Sequence, residues 1–364
     1  MKKLLFGFLC LSLLVGCGKS AVSNSGGTKK QVGFNDPTAS LNFSTKYIET
    51  VKDGGDAKTF GHNGGKPEIF SLAVSEYPSW SVFLVADIKG IINGKEGELS
   101  PLEKKWNVDV ILKEADYDTC ITYYGTKTVD AACLTNMDTI APSQGRPSVA
   151  VLPTSTSVGA DTCIVVGIDK IEDLKGIPTY GLEKSVSQFA FEKNLVLKGL
   201  NPKDFPFKNM DPAAAAQAVQ TGQDGVKSIM VWNPFSLQTI RTNKNAKVIF
   251  SSDSMPEEII DCVMMGEDAL RKPGGEAFAC CIAEAYYEVN KLIADPATHD
   301  ETLVAIGSKF SNLPLADMEI IVDQTRFYST PEAALELFNS SKFQNQTMPD
   351  VVKFCVEHDI VSTK

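Results

Sequence analysis

Short apolar runs recur along this chain with room for a helix between most of them, and that alternation limits the possible folds more than any single motif does. Ile69, Phe70, Leu72, Ala73 and Val74 form the first run, typical of a strand buried on both faces. Pro78 then suits the first turn of a helix whose apolar positions include Trp80, Phe83, Val85 and Ile88. Val108, Val110 and Leu112 alternate as a strand, a helix fits around Tyr117 to Tyr124, and Val129 to Leu134 is apolar again. Strands joined by connections of crossover length predict a parallel sheet with helices on its faces.

The alternation continues through strand-like segments at Ser148 to Leu152, Cys163 to Val166, Phe205 to Lys208, Ser228 to Trp232 and Lys247 to Phe250. Helices fit between them: Ser185 to Lys198 opens on a serine cap, and Pro212 to Thr221 opens on proline and is filled with alanine. After an Ile259 to Met265 strand the chain turns mainly helical. The expected fold class is α/β, with two Rossmann-like lobes of mostly parallel sheet joined by a hinge and a helical C-terminal segment. Residues 67–153 with 254–364 are expected to form the first lobe and residues 154–253 the second.

The amino terminus has a different character. Met1-Lys2-Lys3 is a basic start, Leu4 to Val15 is apolar, and Leu14-Val15-Gly16-Cys17 resembles a bacterial lipobox in which Cys17 becomes the lipidated first residue. The apolar run falls short of the roughly 20 residues a membrane-spanning helix needs. Residues 1–16 therefore read as a lipoprotein signal peptide. Residues 17–66, rich in Gly, Ser, Thr, Asn and Lys, read as a lipidated cysteine and flexible tether. As a coil of about 50 residues such a tether spans about 40 Å end to end.

Charge and cysteine content narrow the function. The 35 Lys and Arg stand against 45 Asp and Glu, a net charge of −10, which argues against a nucleic-acid partner. Cys10 leaves with the signal and Cys17 carries lipid, so seven of the nine cysteines remain in the folded part, an odd number that cannot all pair internally. Adjacent Cys280 and Cys281 lie in a helical run where small buried side chains are expected. No spacing suggests a metal site, phosphate-binding loop or nucleophile elbow, so no cofactor, metal or catalytic residue is assigned.

In open parallel sheets ligands bind beyond the carboxyl ends of the strands. Four loops there carry polar and aromatic residues: Glu76, Tyr77 and Trp80 after the first strand; Thr135, Asn136 and Asp138; Glu183 with Ser185 and Ser187; and Trp232 with Asn233. Each group has an ordinary structural alternative. Thr135, Asn136 and Asp138 suit turns and caps, Ser185 and Ser187 suit a helix start, and Trp232 or one of Tyr77 and Trp80 suits core packing.

Taken in order, these loops, the lipobox, the twin α/β units and Asp173-Leu174-Lys175-Gly176 resemble type II periplasmic binding proteins of the nitrate, sulfonate and taurine transporter group. Within it the pattern is similar to binding proteins encoded beside urea carboxylase, and the Glu258 to Asp261 segment adds Asp261 as a ligand-binding candidate. Glu76 and Pro78 depart from that pattern. The resemblance spans about Glu68 to Tyr287. It implies the solute-binding lipoprotein of an ABC importer, anchored through Cys17 on the periplasmic or extracellular face of a bacterial membrane. Its partners would be a small-molecule ligand and the permease and ATPase subunits.

The resemblance associates its nearest members with urea or guanidine. The residues agree with a cation or neutral amide, since carboxylates pair with guanidinium N–H groups and aromatic faces stack on them, while only Lys184 is basic in the four loops. Nitrate, sulfonate, taurine or a thiamine-pyrimidine precursor are the alternative ligands, and the helix starts near Ser79 and Ser185 would suit an anion. An enzyme on the same fold is a further alternative, although His62, His299 and His358 all fall outside the candidate loops. A lipid-anchored adaptor would instead need an exposed apolar patch.

Overall fold

The computed structural model describes residues 41–62 and 64–362. The apolar leader, Cys17 and the first part of the expected tether lie outside the described residues. Five strands come first, β1 (Leu41–Phe43), β2 (Glu68–Val74), β3 (Val108–Glu114), β4 (Ala131–Thr135) and β5 (Ser148–Ser157). Then follow β6 (Thr162–Val166), β7 (Thr179–Gly181), β8 (Phe207–Asn209), β9 (Ser228–Val231), β10 (Ala246–Ser251), β11 (Ile260–Gly266) and β12 (Thr325–Phe327). They form two sheets, one of seven strands in the order β1-β5-β11-β4-β2-β3 with β12 also on β5, the other of five in the order β10-β6-β9-β7-β8.

The expected two-lobed α/β architecture is present, with sheets that are mixed. Parallel βα repeats build β4-β2-β3 and β9-β7-β8. The strands that carry the chain between lobes run antiparallel: β5 beside β11 in the first sheet and β6 beside β10 in the second. The two crossings are tied together where they meet. Ser157 and Ser252 hydroxyls lie 2.6 Å apart, Gly159 N donates to Ser252 Oγ at 2.9 Å, and Ser252 N donates to Asp161 O at 2.9 Å.

Helices cover the sheets as the apolar pattern requires. Pro78–Ile88 begins with Tyr77 as N-cap and proline in its first turn, and Pro78 through Ala86 are all buried, so this helix runs through the interior rather than along the surface. Phe70 on β2 stacks on Phe278 of the helix Gly275–Ala294 at 4.9 Å between ring centroids. Each large apolar side chain buried in this way contributes roughly 1.5–3 kcal/mol. All seven cysteines of the described residues are buried, Cys280 and Cys281 among them. Loss of solvent pushes the Cys120 and Cys163 thiols up to about 12, so they act as small hydrophobes and stay protonated.

The tether expected over 17–66 is corrected in its second half. β1 pairs in parallel with β5, Leu41 opposite Ser148 and Phe43 opposite Ala150, and the helix Lys46–Lys52 buries Tyr47 and Ile48. His62 Nε2 lies 2.8 Å from Asn107 O. Residues 41–62 thus form part of the first lobe, because Leu41, Phe43, Tyr47 and Ile48 supply a small apolar face inside an otherwise polar stretch. No helix of the described residues is long and apolar enough to cross a membrane.

Candidate functional site

Where the two lobes meet, a small cavity of about 30 Å³ is enclosed by Ser75, Tyr77, Trp80, Tyr117, Thr135, Asp161, Val186, Trp232, Ile259 and Asp261. One water-sized sphere needs about 10–15 Å³, so the space suits a solute of a few heavy atoms. The topology explains the convergence. Ser75 and Tyr77 follow β2, Tyr117 follows β3, Thr135 ends β4, Asp161 lies in the first crossing and Trp232 follows β9. Val186 begins the helix Val186–Leu197, and Asp261 lies near the start of β11, which is antiparallel to β4 and so brings its amino end to the same edge.

Aromatic rings form the walls. Trp80 stacks on Tyr117 with centroids 5.4 Å apart and planes 17° off parallel, Tyr77 lies 4.9 Å from Trp80, and Trp232 meets Tyr117 edge-on at 6.1 Å. Both Tyr77 and Trp80 therefore reach the cavity. The Trp80 indole N–H is buried and donates to nothing. An unpaired buried donor of this kind costs roughly 1–3 kcal/mol until an acceptor arrives.

Three buried carboxyl groups surround these rings: Asp138, Asp161 and Asp261, each less than a tenth exposed. Burial pushes the Asp161 carboxyl up to about 6, with Ser157 opposing and Asp138 adding to the rise. Asp138 is likewise pushed up to about 6 by burial, against hydrogen bonds that favour its charged form. Burial holds Asp261 well above the ordinary carboxylate range, and the neighbouring Asp161 and Asp138 charges raise it further. Ser155 Oγ lies 2.5 Å from Asp261 Oδ2 and 2.8 Å from Ser79 Oγ. No Lys, Arg or His lines the cavity, so the acids have no internal counter-ion there. Among the described residues no group of His, Cys, Asp and Glu converges as a metal site. The carboxyl groups instead surround a space, an arrangement suited to a polyatomic solute bearing several N–H groups.

Asp138 sits at the edge of this space with both oxygens engaged. Its Oδ2 accepts from Tyr117 Oη at 2.8 Å and Thr135 Oγ1 at 3.0 Å, and its Oδ1 accepts from Val186 N in the other lobe at 3.2 Å. Ser185 is the N-cap of that helix, donating to Leu182 O and accepting from Ser187 N, whereas the Ser187 hydroxyl is buried without a partner. Asn136 fastens β4 to β11, donating to Glu258 O and accepting from Ile260 N at 3.1 Å each. Asn233 donates to Gln324 Oε1 at 2.8 Å and accepts from Ser236 Oγ.

Two expected acids are placed elsewhere. Glu76 is exposed and accepts from Ser311 Oγ, and Glu183 is exposed with its backbone N donating to Asn209 Oδ1. A carboxylate with free access to water gains little by turning inward, and both side chains do what such groups ordinarily do. Tyr117 and Asp161 take their places in the wall. Tyr117 carried a usable signal, since it follows the Val108–Glu114 strand at the same sheet edge; Asp161, in a short crossing after Gly159 and Ala160, carried none. The three histidines lie away from the cavity, with His62 on Asn107, His299 on Ile293 O and His358 on Glu192. A wider groove of about 700 Å³ beside β1 is lined by charges of both signs, among them Glu267, Arg271, Lys272 and Glu276.

No family model and no curated protein matches the sequence. Solved structures do match the fold. The periplasmic aliphatic sulphonate binding protein SsuA from Escherichia coli aligns with a TM-score of 0.59 at 17% identity, over 79% of this chain and 87% of its own. The alkanesulfonate-binding protein SsuA from Xanthomonas axonopodis pv. citri, bound to MOPS, gives 0.62 at 13% identity over 82% and 96%. The periplasmic nitrate-binding protein NrtA from Synechocystis PCC 6803 gives 0.52 at 14% identity over 70% of each chain. At these identities the likeness is one of fold.

Proposed function

We propose that this chain is the solute-binding lipoprotein of an ABC importer, tethered outside the cytoplasm through Cys17, and that it captures a small nitrogenous solute of the guanidine or urea type between its lobes. The observation that carries the ligand class is the pair of buried carboxyl groups Asp161 and Asp261 in the wall of an aromatic cavity with no basic side chain in its lining. Guanidinium offers coplanar N–H groups to carboxylates and its face to Trp80, Tyr117 or Trp232. Urea offers the same N–H pairs and a carbonyl that could accept from the unpartnered Trp80 indole. The importer role is supported by the shared fold with periplasmic binding proteins, by the lipobox-like Leu14–Cys17 segment and by a cavity enclosed by both lobes. Residues 67–153 with the returning segment form the first binding lobe in this reading, to which 41–62 are added.

A second reading has one point in its favour, because the structurally similar proteins are sulphonate and nitrate binders by name. Against it, the cavity wall supplies two buried acids, no basic side chain and a single unpartnered N–H, that of Trp80, where a nitrate or sulfonate needs cations or several free N–H groups. Calorimetric titration of the protein at pH 7.5 with guanidinium, urea, nitrate and taurine separates the two. Guanidinium or urea is expected to bind and the anions to give no heat. Tight binding of nitrate or taurine with no response to guanidinium or urea would discard the proposal.

A further inference from the structure

The helix Val186–Leu197 points its amino end at the cleft, and a helix amino end attracts negative charge through its unpaired N–H groups and its dipole. That position is already occupied. Asp138, from the opposite lobe, places Oδ1 3.2 Å from the first backbone N–H of the helix, Val186 N. Ser185 Oγ accepts from the next one, Ser187 N, at 3.1 Å. Asp138 is itself held in that pose: Tyr117 Oη and Thr135 Oγ1 donate to its other oxygen, and its own N–H donates to Thr135 Oγ1 at 3.0 Å. Asp138, Thr135, Val186 and Ser185 are all buried, and Tyr117 is partly buried. The buried Ser187 hydroxyl in the same turn of the helix has no partner and is the donor left over at this helix end.

We propose that Asp138 is a specificity-determining residue that acts as a built-in anion: it takes the helix end across the cleft that an anionic solute would otherwise use, and so excludes such solutes from the closed cavity. The proposal rests on the solute-binding reading and deepens it. It gives Asp138 a different task from Asp161 and Asp261, which line the cavity itself. It also accounts for how one fold can hold anions in some proteins and favour a cation here without rebuilding the helix. An anion brought to this site in the wild-type protein would have to displace a carboxylate that already has three donors, and would meet its charge at contact distance.

Two of the chain's three tryptophans, Trp80 and Trp232, line the cavity, so intrinsic fluorescence reports its occupancy. The wild type, Asp138→Ala and Asp138→Ser are titrated with sodium nitrate and, separately, with guanidinium at pH 8 and constant ionic strength. The serine variant keeps a turn-forming hydroxyl in case the alanine variant does not fold, and circular dichroism identifies which variants are folded. Nitrate is expected to leave the wild type unchanged and to bind a folded variant at least about tenfold more tightly. No gain in any folded variant, or wild-type nitrate binding equal to that of the variants, overturns the proposal. The guanidinium titration keeps the two readings apart: a nitrate gain with no guanidinium binding to the wild type would retain the role of Asp138 and sink the cation reading.

Discussion

At Asp161 and Asp261 the local physics runs against stability. Each carboxyl is buried with no basic side chain beside it, and its folded-state pKa is raised by lost solvation. A group whose pKa is raised on folding contributes stability that is complete below its unfolded value and is lost as the pH rises through its folded value. For Asp161 the loss falls between its ordinary value of 3.8 and about 6. The ligand-free protein is therefore expected to melt at higher temperature at pH 5 than at pH 7.5. Asp161→Asn should raise its stability at pH 7.5 by about 1–3 kcal/mol, read from urea unfolding, while weakening guanidinium binding about tenfold or more. A variant that loses stability and keeps affinity would show that Asp161 serves the fold instead. These roles were only partly legible in the sequence. Trp80, Thr135 and Trp232 are marked by their places at strand ends and Asp261 by the family resemblance, and all four line the cavity. Glu76 and Glu183 had the same address and face water. Sequence position fixes which loop a side chain occupies, but the turn geometry within the loop decides which way it faces.

Among the elements, β1 is the least visible in sequence and has a clear structural load. Its three residues lie in a polar stretch and pair with a strand about a hundred residues later, a contact no local periodicity reveals. Phe43 is fully buried against Phe338 and Phe343 at 5.5 and 4.8 Å. Phe43→Ala should cost about 3–5 kcal/mol of unfolding free energy, measured by denaturant titration, whereas a tether residue would cost almost nothing. The long β5 was hidden differently. Pro153 invites a strand end at Leu152, and the ladder to β11 accommodates it by a register shift, with Cys262 opposite Pro153 and Asp261 opposite Ser155. That shift carries the strand on to Ser157 and sets Ser155 beside Asp261. Most of the alternation of strands and helices between β2 and β11 was legible; the antiparallel partners that close each sheet were not, because pairing direction depends on contacts far apart in sequence.

For the whole molecule, the proposed function joins an anchored receptor to a cleft that selects by charge. The lobes meet at the Asp138 contact to Val186, at Asn233 with Gln324 and at the ion pair of Arg241 with Asp317. A ligand that adds contacts between lobes favours the closed arrangement over any open one. Anchoring belongs to the same scale. Cys17→Ser is expected to abolish incorporation of labelled fatty acid and release the protein from the membrane fraction, and unchanged labelling would refute the lipobox reading. The charge of the cleft is tested most directly by calorimetric titration of the wild-type protein with guanidinium from pH 8 down to pH 5. If ionised Asp161 holds the cation, affinity should fall as its carboxyl group takes up a proton, approaching tenfold for each pH unit below about 6. An affinity that stays constant or rises over that range would contradict the account.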